Sequence, residues 1–193
     1  MKTTALFVVA GIAAAASAQG VMTISWTMSD TGNGDGILEA GETGVATLWA
    51  LMEPGATGFA GSIYDLNGDA RYADGTHTFD NYLDDLTNDG TDQGNGHVTG
   101  IESFQLPAAF NPNFDGSNPI ALGQLTYTPN SYAAGVATFS TENHLNFDVY
   151  TDDFGTSVSY TGVVTPGAFT IIPAPASMAL LGLGGLVAGR RRR

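Results

Sequence analysis

The sequence predicts an all-β fold, an antiparallel β-sandwich of the jelly-roll type with one short helix. Along Met22–Ser29, apolar and polar residues alternate, which is the period of a half-buried strand. The chain contains 26 glycines and only 13% charged residues, a composition that favours strands and turns over helices. Short apolar segments are separated by clusters of Gly, Asn, Asp and Pro such as 110–119, as expected where turns join strands.

Individual strands and one helix follow from the local patterns. The predicted strands are Met22–Ser29, Val45–Met52, Gly58–Leu66, Gly100–Leu106, Ile120–Thr128, Gly135–Ser140, Asn146–Thr151, Thr156–Val164 and Ala168–Ile172. A helix is predicted over Thr78–Thr87, because Phe79, Tyr82, Leu83 and Leu86 have the spacing of one helical face. We expect this face to pack on one end of the sandwich, and most Trp and Tyr side chains to fill the core.

Charge is distributed unevenly along the 193 residues. Five of the six bases, Lys2 and Arg190–Arg193, lie at the two ends, whereas all 19 acids lie between Asp30 and Asp153. The central part keeps one base, Arg71, and so carries a net charge of −18. Such a surface repels nucleic acid and attracts cations, which excludes nucleic acid as a partner. The chain has no Cys, so disulfides and thiol chemistry are excluded as well.

Residues 1–18 have the three parts of a secretory signal peptide. A basic start precedes an apolar run of 12 residues, Ala5–Ala16, and small residues follow. Cleavage by signal peptidase is predicted between Ala18 and Gln19. We therefore expect an N-terminal signal helix, followed by one acidic domain over residues 19–172 that is long enough to bury a core.

The C-terminal residues 173–193 also have three parts. A short motif comes first and consists of Pro173, Ala174, Pro175, Ala176 and Ser177. The apolar run 176–189 follows, and as a helix its 14 residues would extend about 21 Å, short of the roughly 30 Å of a bilayer core. This length suits transient rather than permanent insertion. The last four residues, Arg190, Arg191, Arg192 and Arg193, should stay cytoplasmic, which leaves the acidic domain outside.

This order of Pro-x-Pro motif, short apolar helix and terminal arginines resembles the PEP-CTERM sorting tail, which is also called the ice-binding protein C-terminal domain. The resemblance covers residues 173–193, and it departs from the namesake motif in having Ala174 where that motif has Glu. It implies processing by an exosortase-type enzyme, transient anchoring in the cytoplasmic membrane, and delivery to the cell surface or an extracellular matrix. Many such proteins accompany exopolysaccharide production. The sequence itself has no long array of regularly spaced Thr that would suggest an ice-binding face.

One motif in the domain is typical of calcium binding. The stretch from Thr31 to Glu42 follows the twelve-residue calcium loop, with Gly36 at the sixth place where a sharp turn is needed. The predicted ligands are Thr31, Asn33, Asp35, the carbonyl of Ile37, and Glu42. Thr31 stands where the loop pattern has Asp, and Asp30 comes one residue earlier. The alternative is a plain Asn-Gly and Asp-Gly turn between two strands, without a cation.

Signatures of catalysis are absent from the sequence. The three histidines form no pair at metal-ligand spacing and are expected in turns or at the surface, and no nucleophile or phosphate-loop motif occurs.

The preferred hypothesis is a non-catalytic β-sandwich, steadied by Ca²⁺ and delivered to the cell surface or matrix. A carbohydrate-binding module that recognises extracellular polysaccharide through an aromatic strip is the alternative. A secreted hydrolase is the least supported of the three.

Overall fold

The computed structural model describes residues 20–83, 88–143 and 147–173. The predicted signal helix, the cleavage point after Ala18 and the apolar C-terminal helix lie outside these residues. Within the described ranges the chain forms twelve strands and one helix of four residues. The predicted all-β class is therefore confirmed.

The elements follow one another closely along the chain. The strands are β1 (Val21–Asp30), β2 (Ile37–Leu38), β3 (Gly44–Leu51), β4 (Gly58–Gly68), β5 (Gly75–Asn81), β6 (Thr91–Gly94), β7 (His97–Phe104), β8 (Ile120–Pro129), β9 (Gly135–Asn143), β10 (Phe147–Tyr150), β11 (Ser157–Val164) and β12 (Gly167–Ile171), and the helix α1 is Ala70–Ala73. Each of the nine predicted strands corresponds to one of these. The additional strands are β2, β5 and β6.

The strands form two facing layers. The first sheet has the order β5-β8-β3-β1-β11. In the second sheet β7 lies between β6 and β4, and β9 and β10 follow each other along the other edge of β4. β12 and then β2 continue the second sheet beyond β9. Pairing is antiparallel except at β1–β11 and β12–β2 among the described strands.

Strand β11 belongs to both layers. Ser157–Tyr160 pairs with β10 in the second sheet, whereas Thr161–Val164 pairs with β1 in the first. A strand that passes from one sheet to the other makes a corner of a sandwich. The two layers are therefore hydrogen-bonded to each other along one side.

Aromatic side chains from both sheets fill the space between the layers. The Trp26 ring from the first sheet meets the Phe139 ring from the second edge-on, with 5.0 Å between centroids. Tyr127 and Phe169 stack across the same gap at 5.8 Å, and Phe169 also contacts Phe139 at 5.4 Å. These rings are buried, so the core forms where inward-facing positions of the two sheets meet.

The predicted helix over Thr78–Thr87 is wrong where the structure describes it. Residues 75–81 form strand β5, which pairs with β8 over its whole length. His77 and Phe79 point inward, while Thr76, Thr78 and Asp80 point outward, so the true period is two. Tertiary pairing with β8 decided the conformation of this segment. The helix prediction depended on the spacing of only four apolar residues, and one of them, Leu86, lies outside the described part.

The actual helix, α1, begins at Ala70, eight residues before the predicted start at Thr78. The Asp69 carboxylate caps it by accepting the backbone N–H groups of Arg71 and Tyr72 at 2.9 and 2.8 Å. The same carboxylate accepts the N–H and hydroxyl of Thr138 on β9 at 3.0 and 2.6 Å. One side chain thus starts the helix and ties it to the second sheet.

We expect the core aromatics to dominate stability. Replacing the fully buried Phe169 by Ala should lower the free energy of unfolding by about 3–5 kcal/mol, because the cavity would remain between two rigid sheets. The matched control is Phe154→Ala, since this Phe is 77% exposed and should change stability by less than about 0.5 kcal/mol. Urea unfolding followed by circular dichroism measures both. Equal losses in the two variants would contradict the assigned core.

Candidate functional site

The loop that joins β1 to β3 is organised by Asp30, the last residue of β1. Its Oδ1 accepts the backbone N–H groups of Gly32 and Gly34 at 2.7 and 2.9 Å, and its Oδ2 accepts that of Gly36 at 2.7 Å. Three charge-assisted bonds to one carboxylate fix the loop over residues 30–36. We call residues 30–43 the Asp30 loop.

The predicted calcium ligands all lie in this loop, where the four ligand side chains each accept a hydrogen bond from a backbone N–H group of the loop itself. Oδ1 of Asn33 accepts the N–H of Asp35 at 3.0 Å, and Oδ1 of Asp35 accepts the N–H of Ile37 at 2.8 Å. The Thr31 hydroxyl accepts the N–H of Thr43 at 3.0 Å and closes the base of the loop. Thr31, Asn33 and Asp35 are exposed, and Ile37 lies on β2.

Two carboxylates converge over Gly32. A Cβ atom on Gly32 would collide with Oε1 of Glu42 and would lie 3.2 Å from Oδ1 of Asp30. The other oxygen of Glu42, Oε2, accepts the N–H of Glu39 at 2.8 Å. Asp30, rather than Thr31, therefore shares the loop interior with Glu42. Across the described ranges, however, no group of three His, Asp or Glu side chains is placed to hold a metal ion.

The hydrogen bonds also set the acidity of the organising carboxylates. The N–H of Gly34, followed by those of Gly36 and Gly32, holds the pKa of Asp30 below its ordinary value of 3.8. In the loop after β10, the Thr156 side chain and then the N–H groups of Thr156 and Phe154 lower the pKa of Asp152 in the same way. Both aspartates remain ionised at neutral pH and act as fixed anchors for backbone N–H groups.

Asp69 is a third anchor of this kind. Partial burial raises its pKa, but hydrogen bonds from Thr138, Tyr72 and Arg71 outweigh that effect, so the pKa also lies below 3.8. Sequence reasoning missed the role of all three aspartates. The sequence signal for this role was the position of each aspartate, just before a Gly-containing turn or at the start of a helix.

A polar cavity beside the 107–119 loop carries no catalytic constellation among the residues that the structure describes. It has a volume of about 150 Å³ and is lined by residues that include Gln105, Asn111 and Asp115. The Gln105 amide donates to the carbonyls of Phe59 and Asp115 and accepts the N–H of Asp115. These bonds hold the 107–119 loop against β4, so Gln105 has a structural role.

The histidines differ in their placement. His97 is exposed at the start of β7, as expected, and His144 lies outside the described residues. The expected surface position is wrong for His77, whose side chain is only 6% exposed. Its ring lies 4.9 Å from that of Tyr72, and Nε2 is 3.7 Å from the Asp92 carboxylate. Every second side chain of β5 points inward, and this alternation places His77 in the core. The helix prediction for this segment did not include that alternation.

The sorting motif and the signal cleavage point fall almost wholly outside the described residues. Pro173 is the last described residue, and Ala174 to Ser177 and the four terminal arginines lie beyond it. In the part that the structure describes, no helix has the length and apolar character needed to cross a membrane. The sorting-tail and cleavage assignments stay predictions.

The fold is that of cohesin modules. The seventh ScaB type I cohesin from Pseudobacteroides cellulosolvens superposes with a TM-score of 0.55 at 15% identity, over 79% of this chain and 93% of that one. The cohesin module of a family 33 glycoside hydrolase from Clostridium perfringens superposes with a TM-score of 0.51 at 12% identity, over 81% and 98% of the two chains. No family model and no curated protein matches the sequence. The protein is thus a cohesin-like β-sandwich by fold.

The lowered pKa of Asp30 predicts a specific pH dependence. Because the folded-state pKa is depressed, the stabilisation from this group is present above its unfolded pKa and is lost as pH falls through the folded pKa. Asp30→Asn should therefore lower the melting temperature at neutral pH, and the difference from the unmodified protein should narrow in acid. Thermal melts between about pH 7 and about pH 2 measure this difference.

The control removes the same charge from the same loop. Glu39 is exposed, and Glu39→Gln leaves the three hydrogen bonds to Asp30 intact. This variant should melt close to the unmodified protein at neutral pH. If Asp30→Asn and Glu39→Gln behaved alike at every pH, the Asp30 carboxylate would not organise the loop.

Proposed function

We propose that this protein is an exported, non-catalytic β-sandwich module of a bacterial cell surface or extracellular matrix, sorted through a PEP-CTERM-like tail. The observation that carries the proposal is the segregation of charge. All 19 acids lie in the β-sandwich region, and five of the six bases lie in the two terminal segments. A base-tipped apolar segment at each end and an acidic body between them suit a body placed outside the membrane, with the Arg cluster inside.

The positions of the two ends of the domain support a tethered arrangement. The carbonyl of Gly20, just before β1, accepts the N–H of Thr161, and β1 then runs the length of the first sheet to the Asp30 loop. The N–H of Ile172, just before the tail, donates to the carbonyl of Leu38 within that loop at 2.9 Å. The chain therefore enters at one end of the sandwich and leaves at the other, about 33 Å away for the ten residues of β1. A tail at the far end would hold the module upright on a membrane.

A non-catalytic role is consistent with the chemistry of the described residues. The aspartates with clearly lowered pKa, Asp30, Asp69 and Asp152, each accept hydrogen bonds from several backbone N–H groups nearby. A general acid would need a raised pKa and an open site, which is the opposite arrangement. The carbohydrate-binding alternative has one specific observation in its favour, the placement of Trp49 on the outside of a sheet.

The export and sorting proposal is tested on material from the native host. Mass spectrometry should find a mature N-terminus at Gln19 and loss of the tail after the Pro173–Ser177 motif, because signal peptidase and an exosortase-type enzyme act at these points. Replacing all four of Arg190–Arg193 by Ala should leave the tail uncleaved. Replacing them by Lys is the control, since it keeps the charge that holds the end in the cytoplasm. A cytosolic chain intact from Met1 to Arg193 would overturn the proposal.

We also propose that the Asp30 loop binds Ca²⁺ weakly and so stabilises the exported domain. Asp30 and Glu42 already approach each other over Gly32, and Asn33 and Asp35 bring further oxygens on the same turn. Oδ2 of Asp30 accepts a single N–H group, that of Gly36, and so keeps a second lone pair with which Asp30 can face a cation without losing its hydrogen bonds. Exposed loops of this kind in extracellular modules bind Ca²⁺ with a Kd of about 10⁻⁴ to 10⁻³ M.

Calcium binding predicts a melting shift that depends on the loop. With Ca²⁺ at about ten times the upper Kd, near 10⁻² M, the melting temperature should rise, because the cation binds only the folded state. Asp35→Ala and Glu42→Ala should each abolish the rise, whereas Glu39→Gln should keep it. If Ca²⁺ did not change the melting temperature, the loop would be a plain turn without a bound cation.

A further inference from the structure

The outer face of the first sheet is almost free of charge, although the domain as a whole carries −18. Alternation along the strands turns one set of residues outward, and we call this set the neutral face. It comprises Thr76, Thr78 and Asp80 of β5, Ala121, Gln124, Thr126 and Thr128 of β8, Val45, Thr47, Trp49 and Leu51 of β3, Val21, Thr23, Ser25, Thr27 and Ser29 of β1, and Thr161 and Val163 of β11. Asp80 is its one charged member.

Strand register sets the hydroxyl groups of the neutral face side by side. Thr76 lies opposite Thr128 and Thr78 lies opposite Thr126, so four threonines form a block on β5 and β8. The Thr128 hydroxyl lies 2.9 Å from that of Thr43, which extends the block toward β3. Neighbouring strands lie about 4.8 Å apart, so five strands make a surface roughly 19 Å wide. The result is a broad array of hydroxyl donors and acceptors.

Trp49 lies near the middle of the neutral face. Its neighbours across the strands are small, Ser25 on β1 and Ala121 on β8. Its indole Nε1 donates to the Thr27 hydroxyl at 2.9 Å, on the neighbouring strand and one pair further along. This bond directs the indole ring across the sheet surface. A ring held in this way beside small residues presents an aromatic plane to a ligand.

Beyond Trp49 the neutral face becomes apolar. Val21, Leu51 and Val163 are 39%, 48% and 54% exposed, and Thr23 lies between the last two in the register. Together with Pro54, Asn118 and the exposed Glu53, Val21 and Leu51 line an open trough of about 610 Å³, so one carboxylate borders the trough. The face therefore combines hydroxyl groups, an aromatic plane and an apolar trough on one continuous surface.

The opposite face of the sandwich has the contrary character. Outward positions of β4, β7, β9 and β10 carry carboxylates, namely Asp65, Glu102, Glu142 and Asp148. Asp65 and Glu142 lie opposite each other in the β4–β9 register, where like charges are destabilising. A cationic partner would prefer this acidic face, and an anionic one is repelled by the domain. The neutral face fits an uncharged ligand.

From this placement we infer that the neutral face binds a neutral polysaccharide. Sugar hydroxyls would exchange hydrogen bonds with the Thr, Ser and Gln side chains, and the apolar face of a sugar ring would stack on Trp49. Little charge needs to be desolvated on the protein side, where Asp80 on β5 and Glu53 beside the trough are the carboxylates of this surface. This inference concerns the ligand of the domain and does not depend on how the chain is exported.

Binding is measured with the full chain purified in mild detergent, so failure of export would not affect the result. The probes are amorphous cellulose, curdlan and galactomannan, with alginate as the anionic comparison, in pull-down and affinity electrophoresis. At least one neutral polymer should retain the protein, and alginate should not. Trp49→Ala should weaken retention about tenfold or more, and Trp49→Tyr should restore part of it because a ring returns.

A charge placed on the neutral face gives an independent test with a matched control. Thr126→Glu should abolish retention, because a buried carboxylate would face an uncharged sugar. Thr170→Glu makes the same change on an exposed strand position of the other sheet and should bind as the unmodified protein does. Melting curves establish that all variants fold. Three results would each overturn the inference. The first is that no neutral polymer retains the protein, and the second is an equal loss of retention in Thr126→Glu and Thr170→Glu. The third is that growing ice captures the protein although no polysaccharide binds it.

Discussion

The contact between the two aromatic layers is the interaction on which the rest of this structure depends. Trp26 and Tyr127 from the first sheet meet Phe139 and Phe169 from the second, and these rings fix the distance and orientation of the sheets. Because the sheets are so fixed, β12 ends against β2 of the Asp30 loop, and the first sheet keeps one face open to solvent. Loss of this packing would affect the loop, the end of β12 and the neutral face together.

The loops are secured by carboxylates instead of disulfides, since the chain has no Cys. Asp30, Asp69 and Asp152 each gather several backbone N–H groups from Gly-rich or helix-starting segments. Charge-assisted bonds of this kind satisfy groups that a loop would otherwise leave to water. Part of the strong acidity of the domain therefore has a local structural purpose. Four further acids, Asp65, Glu102, Glu142 and Asp148, make the outer face of the second sheet acidic, whereas the strands of the neutral face contribute Asp80 alone.

Sequence patterns predicted the strands well and the candidate sites only in part. The period of two along β1 was sufficient, because this strand buries one face and its side chains alternate. In β5 the inward positions hold His77 and Phe79 among outward Thr and Asp, and this weak alternation was outweighed by an accidental helical spacing. In the Asp30 loop the motif named Thr31 as a calcium ligand, which stays a prediction, and gave no sign that Asp30 would gather three backbone N–H groups, since hydrogen-bond geometry is invisible in residue spacing.

By itself the sequence determined the all-β class, the acidic body, and the basic apolar ends, since each depends on neighbours along the chain or on composition. Only the tertiary structure decided that threonines of β5 and β8 would stand together with Trp49 of β3. Residues as distant in the chain as Thr76 and Thr128 become neighbours through strand order and register. Register is set by which side chains the core accepts, so a surface built across five strands has no counterpart in the linear sequence.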